Sequence, residues 1–104
     1  VLPHPSVTSY FAGRIHQEGD LFVSQCEGLP VASQGRSESE AIVNLAEAVQ
    51  LFVDDAIAHG SLGAVVRRYG WQATHELPGR DSSDRFVIPV RVPHHVASSL
   101  ESSA

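Results

Sequence analysis

Carboxylates, histidines and a single cysteine are the side chains here that can do chemistry, and their spacing decides which chemistry is open. Cleavage of nucleic acid by a two-metal mechanism needs several carboxylates converging on paired Mg²⁺ ions. The candidates are Glu18, Asp20, Glu40 and Glu47. Glu18 and Asp20 fall in one Gly-containing turn, and Glu40 sits where a helix cap would use it, so convergence is not expected. The six histidines stand at 4, 16, 59, 75, 94 and 95, with no His-x₃-His pair and no second cysteine to join Cys26. Zinc requires three or four ligands in a tetrahedron, and this spacing supplies none. His59 near a helix end answers to the helix dipole, and His94-His95 is expected in solvent. Cys26 on a strand reads as a small buried hydrophobe. No serine has the flanking pattern of a nucleophile elbow. The expectation is a non-enzyme, with no catalytic residue, no metal and no cofactor.

Charge patterning says more. From Glu38 to Ala58 there are five acids and no base, which equals the whole chain's formal net charge of −5. Glu40, Glu47 and Asp54 recur every seventh residue, which on a helix makes one stripe drifting about 20° per heptad. Leu51 falls among them, nearly opposite the apolar stripe. Two readings stay open: a solvated face with Leu51 covered by the next helix, or a docking face whose acids steer a basic partner. Glu18 and Asp20 are a second candidate contact. The strand holding Val87, Ile88, Val90 and Val92 is a candidate oligomer edge, since unpaired strand edges commonly join subunits.

The elements that must position these residues follow from periodicity. Residues 1–7 read as a tether. Thr8 to His16 alternates, with Phe11, Gly13 and Ile15 on one side and Tyr10, Ala12 and Arg14 on the other. Gln17 to Asp20 is a turn, and Leu21 to Cys26 a second strand, together a β-hairpin. Val31 to Gln34 adds a short third strand. Ser37-Glu38-Ser39-Glu40 fits a capping box, with Glu40 reaching back to the Ser37 amide. The stripe after it predicts a helix of about 21 residues ending at Gly60, burying Ala41, Ile42, Leu45, Val49, Phe52 and Val53. Ser61 caps a second helix through Tyr69. Trp71 to Asp84 reads as loop with a Pro78-Gly79 turn, and Arg85 to Val92 as a last strand, at an edge because Pro89 has no N–H. The tail from residue 93 is weakly patterned.

That order predicts an α+β fold, β-β-β-α-(α)-β. A strand after a helical crossover pairs in parallel as a rule, so a four-stranded mixed sheet in order 3-2-1-4 is expected, with the long helix on one face. The unit spans 8–92, followed by a tail, 93–104. The 104 residues, 42% hydrophobic and 18% charged, suit one soluble domain with one modest core. Twelve acids against seven arginines and no lysine oppose a bare nucleic-acid binder. No apolar run is long enough for a bilayer, and one cysteine suits a reducing cytoplasm.

Tyr10 to Ile57 resembles the HicB family of antitoxins. The resemblance is carried by Glu18-Gly19-Asp20, the strand ending at Cys26, Glu27-Gly28-Leu29-Pro30, and Ser33-Gln34-Gly35-Arg36-Ser37-Glu38-Ser39-Glu40-Ala41 leading into Asn44 to Val49. It covers roughly 48 of the 104 residues. It implies a partial ribonuclease-H-like fold that binds and occludes a small basic HicA-type toxin, itself a messenger-RNA-cleaving protein. A homo-oligomer, dimer or tetramer, is expected from the strand edges, acting in the cytoplasm and not at a membrane. Many members add a helix-turn-helix or ribbon-helix-helix that binds operator DNA. Arg85 to Ser99 has the order of the opening strand and first helix of such a module. Twelve residues after Val92 fall short of its two helices, so direct DNA binding is not expected. The alternatives are a dimeric regulator binding DNA through C-terminal strands, and a residual metal-dependent nuclease.

Overall fold

Alternation in the first part of the chain becomes three strands, and the capped apolar stripe becomes the helix that covers them. The computed structural model describes residues 6–70 and 84–96. In chain order the elements are β1 (Ser6–Glu18), β2 (Leu21–Cys26), β3 (Ala32–Gly35), α1 (Glu38–Ala58), α2 (Leu62–Tyr69) and β4 (Arg85–Pro93). Residues 1–5, the Pro78-Gly79 turn, His4, His75 and the tail beyond residue 96 lie outside the described residues.

β1 and β2 form a hairpin in which Glu18 pairs with Leu21 across Gly19-Asp20. Gly19, at φ +60°, takes the first central position, which a two-residue hairpin turn of this hand reserves for glycine. β1 begins at Ser6 rather than Thr8, because Ser6 and Val7 pair with Pro93 and Val92. After Pro93 the chain turns helical at His94–Val96, and Val96 packs against the core.

The sheet has the expected order, β3-β2-β1-β4, but every pairing is antiparallel, including β1 with β4. The expected mixed sheet is therefore corrected. Gly35, which leads into α1, pairs with Phe22 near the hairpin end of the sheet. Arg85, which opens β4, pairs with Arg14 near that same end. A single helical crossover would deliver the chain to the opposite end and make β4 parallel. Here the connection after α1 brings the chain back before β4 starts.

α1 lies on one face of the sheet. Ser37 is extended (φ −139°, ψ 164°), and its hydroxyl accepts from the Glu40 amide at 3.1 Å. The Glu40 carboxylate, however, accepts from the Arg36 amide at 3.4 Å, one residue before the expected Ser37. Gly35 fixes the entry: a Cβ there would lie 2.5 Å from the Ala41 nitrogen, so strand and helix backbones meet at a distance that only glycine allows. The helix buries Ala41, Leu45, Val49, Val53 and Ala56, against Phe11, Ile88, Val90 and Val92 from β1 and β4. Ile42 and Phe52 are only half-buried, because they flank that stripe. Ser24 is the buried polar side chain of this layer, and its hydroxyl donates to the Ala41 carbonyl at 2.8 Å. The opposite face of the sheet, carrying Tyr10, Arg14, Gln25 and Arg91, is exposed.

Ser61 does not cap α2. Its hydroxyl donates instead to the Ala56 carbonyl at 3.3 Å, which ties the inter-helix turn to α1. Leu62 anchors α2 in the core.

Candidate partner-binding surface

Helix geometry places Glu40, Glu47, Leu51 and Asp54 on the side of α1 that faces away from the sheet. All four are exposed there. Leu51 is 68% exposed and Val43, one helical row over, 53% exposed, the two highest exposures among the large apolar side chains of the described residues. α2 does not cover Leu51, which corrects that part of the solvated-face reading and leaves the face itself in solvent. Asp54 accepts a hydrogen bond from Gln50 Nε2 at 2.9 Å. Glu47 makes no ion pair among the described residues. Asp55 faces His59 across one turn at 3.3 Å.

Beside this face runs an open groove of about 480 Å³ between α1 and the start of β3, lined by Pro30, Val31, Ala32, Ala48, Leu51, Phe52 and Asp55. The lining is mainly apolar, and Asp55 is its charged member. The helical spacing that exposes Leu51 also turns Ala48 and Phe52 toward β3. Sequence reasoning placed Leu51 on the helix face but had no signal for the groove, whose other wall comes from a distant loop.

The two outer strands differ in what their backbones leave free. In an antiparallel pair a residue's N–H and C=O point to the same side, alternating along the strand. The Ile15 amide donates to Asp84 O at 2.8 Å, so even-numbered residues of β4 point at β1 and odd-numbered ones point outward. Of the outward set, Pro89 and Pro93 have no N–H. Arg91 is already paired: Gln50 Oε1 accepts from its amide at 2.8 Å, and Gln50 Nε2 donates to its carbonyl at 2.9 Å. A helix side chain thus occupies this edge as a neighbouring strand would. Of the proposed edge residues, Ile88, Val90 and Val92 face the core and Val87 is half-buried on the open side. On β3, the Cys26 amide donates to Val31 O at 2.9 Å, which leaves Ala32 and Gln34 pointing outward. Asn44 Nδ2 donates to the Gln34 carbonyl at 2.8 Å. The Ala32 N–H and C=O and the Gln34 N–H have no hydrogen-bond partner among the described residues.

Cys26 and Glu27 are titratable groups shifted by their surroundings. Cys26 is buried on β2, and desolvation pushes its thiol up to about 11, so it is a poor nucleophile. Burial pushes the Glu27 carboxyl up, but hydrogen bonds from Arg14 and Arg85 outweigh it and hold the group below its ordinary value. Glu27 bridges the two guanidiniums at 2.6 and 2.8 Å, joining β1 to β4 across the open face. Glu18 and Asp20 stay at the hairpin tip, where Glu18 contacts His16 Nε2 at 2.9 Å. Among the described residues, no group of three or more His, Cys, Asp or Glu side chains comes together to hold a metal. No described helix is long and apolar enough to cross a membrane.

Fold and surface together define a two-layer α+β protein, an antiparallel sheet covered on one face by a helix whose outer side is acidic. No family model, curated protein or solved structure matches the chain.

Proposed function

We propose that this chain is a HicB-like antitoxin of partial ribonuclease-H-like fold, which acts in the cytoplasm by binding and occluding a small basic HicA-type toxin. The observation that carries the reading is the outer side of α1, where Leu51 and Val43 stand exposed in a segment with five acids and no base. Exposed apolar residues set among one sign of charge are how a surface combines contact with long-range steering. An RNA-cleaving toxin must be basic to hold its substrate, so this surface complements it. The antitoxin contributes no bond-breaking step: it covers the toxin's RNA site. The chain acts as a homo-oligomer, dimer or tetramer, in this reading.

The test is co-expression with the small basic protein encoded beside it. The expected result is relief of growth arrest, a co-purifying complex, and loss of messenger-RNA cleavage when the chain is added in equimolar amount. The purified chain alone leaves RNA and DNA uncut, with or without Mg²⁺, Mn²⁺ or Zn²⁺. Cleavage by the chain itself, abolished by Glu40→Gln or Asp20→Asn, would replace this reading with the nuclease.

One observation favours a second reading, a dimeric transcriptional regulator. β4 carries exposed Arg85 and Arg91 and passes directly into helical backbone at His94–Val96. Strand followed by helix is the order in which a ribbon-helix-helix begins. Retardation of operator DNA by the purified chain, lost in Arg91→Ala, would favour it.

A further inference from the structure

The groove beside α1 and the free edge of β3 adjoin, since Ala32 belongs to both. A strand laid along β3 would find the Ala32 N–H and C=O and the Gln34 N–H in place to pair with it. In such a strand every second side chain points to the helix side of the sheet. There it meets the apolar wall of Pro30, Val31, Ala48, Leu51 and Phe52. The β4 edge offers the opposite: two prolines and an arginine whose backbone already pairs with Gln50. The β4 edge is thus closed from Pro89 to Pro93, though not at Arg85 and Val87, and the β3 edge is open beside an apolar groove.

We infer that β3 receives an extended segment of a basic protein partner as a fifth strand, in which the every-second residues on the helix side are apolar where they enter this groove and basic where they pass the acids of α1. Charge complementarity selects that occupant. The groove's charged lining residue is Asp55, Glu47 and Asp54 stand on the adjoining helix face, and no basic residue lines the groove. Strand addition supplies affinity through main-chain hydrogen bonds and specificity through pockets for alternate side chains. The inference deepens the antitoxin reading and rests on it for the class of partner. It adds the segment's conformation, its position and the character of every second residue.

A ten-residue synthetic peptide with serine at every second position and valine and arginine in turn at the others is the probe, with the same peptide carrying glutamate in place of arginine and a backbone N-methylated form of the valine–arginine peptide as controls. Amide exchange and NMR shifts of the full chain report where it binds. The expected result is slowed exchange at Ala32 and Gln34 on adding the valine–arginine peptide, weaker binding as salt rises, and little binding of either control. Leu51→Asp and Asp55→Arg, both at exposed positions, should each weaken binding at least about tenfold. Ala32→Pro removes an outward N–H without taking a bond from the β2–β3 ladder and should do the same. If that variant fails to fold by circular dichroism, the exchange measurement on the unaltered chain still decides.

Equal binding of the acidic peptide, protection at Arg85 and Val87 instead, or protection of Ala32 by a second copy without peptide would each overturn the inference. A basic toxin that binds and is inhibited while Ala32 and Gln34 exchange unchanged would also overturn it, and leave the antitoxin reading standing. Peptide seated on β3 with no inhibition of any toxin would do the reverse.

Discussion

Individual residues decide more here by the space and partners they are given than by their reactivity. Gly35 and Gly13 both sit where a Cβ would clash, yet the clashes differ in kind. At Gly35 the obstacle is α1 backbone, Ala41 N at 2.5 Å and Glu40 C at 2.8 Å. At Gly13 it is the half-buried Phe86 ring, with Cζ at 2.6 Å, which can rotate aside. Gly35→Ala is expected to cost about 3 kcal/mol and Gly13→Ala about 1 kcal/mol in denaturant melts, since overpacking is costly where nothing yields. Glu27 gives a pH prediction. Its folded carboxyl titrates below the ordinary value because two guanidiniums favour its charge. Its contribution is therefore present above the unfolded carboxylate pKa, near about 4.3, and lost as pH falls through the lower folded value. Glu27→Gln should lower stability at pH 7 by no more than about 1 kcal/mol, because the pairs are solvent-screened. The gap between variant and parent should close as the pH falls below about 4. A gap that persisted at low pH would assign the effect to packing.

Among the elements, α1 does three separate jobs with three faces. Leu45 lies on its buried face and Leu51 on its exposed one, in the same helix and of the same residue type. Leu45→Ala should cost about 2–5 kcal/mol, and Leu51→Ala should stay within about 0.5 kcal/mol. Comparable losses in thermal or denaturant unfolding would mean the helix is rotated from the orientation described. Its flanks carry Asn44 and Gln50, amides that reach the backbones of β3 and β4. The faces were legible in sequence because a period of 3.6 and a capping box are local signals: the helix limits, the buried stripe and the acidic stripe all follow from them. The edge amides were not, because Asn44 and Gln50 look like any polar helix residue until the strands are in place. The direction of β4 was not legible either. Its strand character is local, but its sense depends on how many times the connection from α1 crosses the sheet. β3, Ala32–Gly35, begins one residue later than alternation predicts, as a strand of four residues offers little alternation to count.

Taken whole, the molecule separates its charges by face: α1 presents acids outward, while the open side of the sheet carries Arg14, Arg85 and Arg91, two of them held by Glu27. The net charge of −5 therefore understates how strongly a basic partner is steered toward one side. Rim charges act on encounter, because attraction is felt before contact and is largely spent once the complex has formed. Glu47→Gln with Asp54→Asn should thus slow association with a basic partner several-fold at low salt and change dissociation much less. Asparagine at 54 keeps an acceptor for Gln50, so the helix flank and its hold on β4 remain. Raising the salt to about 0.5 M should bring parent and variant association rates together, as the screening length drops to a few ångströms. Arg91→Gln, on the opposite face, should leave association unchanged or slightly faster. Stopped-flow mixing with the co-purified partner separates these outcomes. A slower rate in Arg91→Gln, with none in the acidic pair, would move the partner to the open sheet face and make Leu51 an ordinary solvent-exposed side chain.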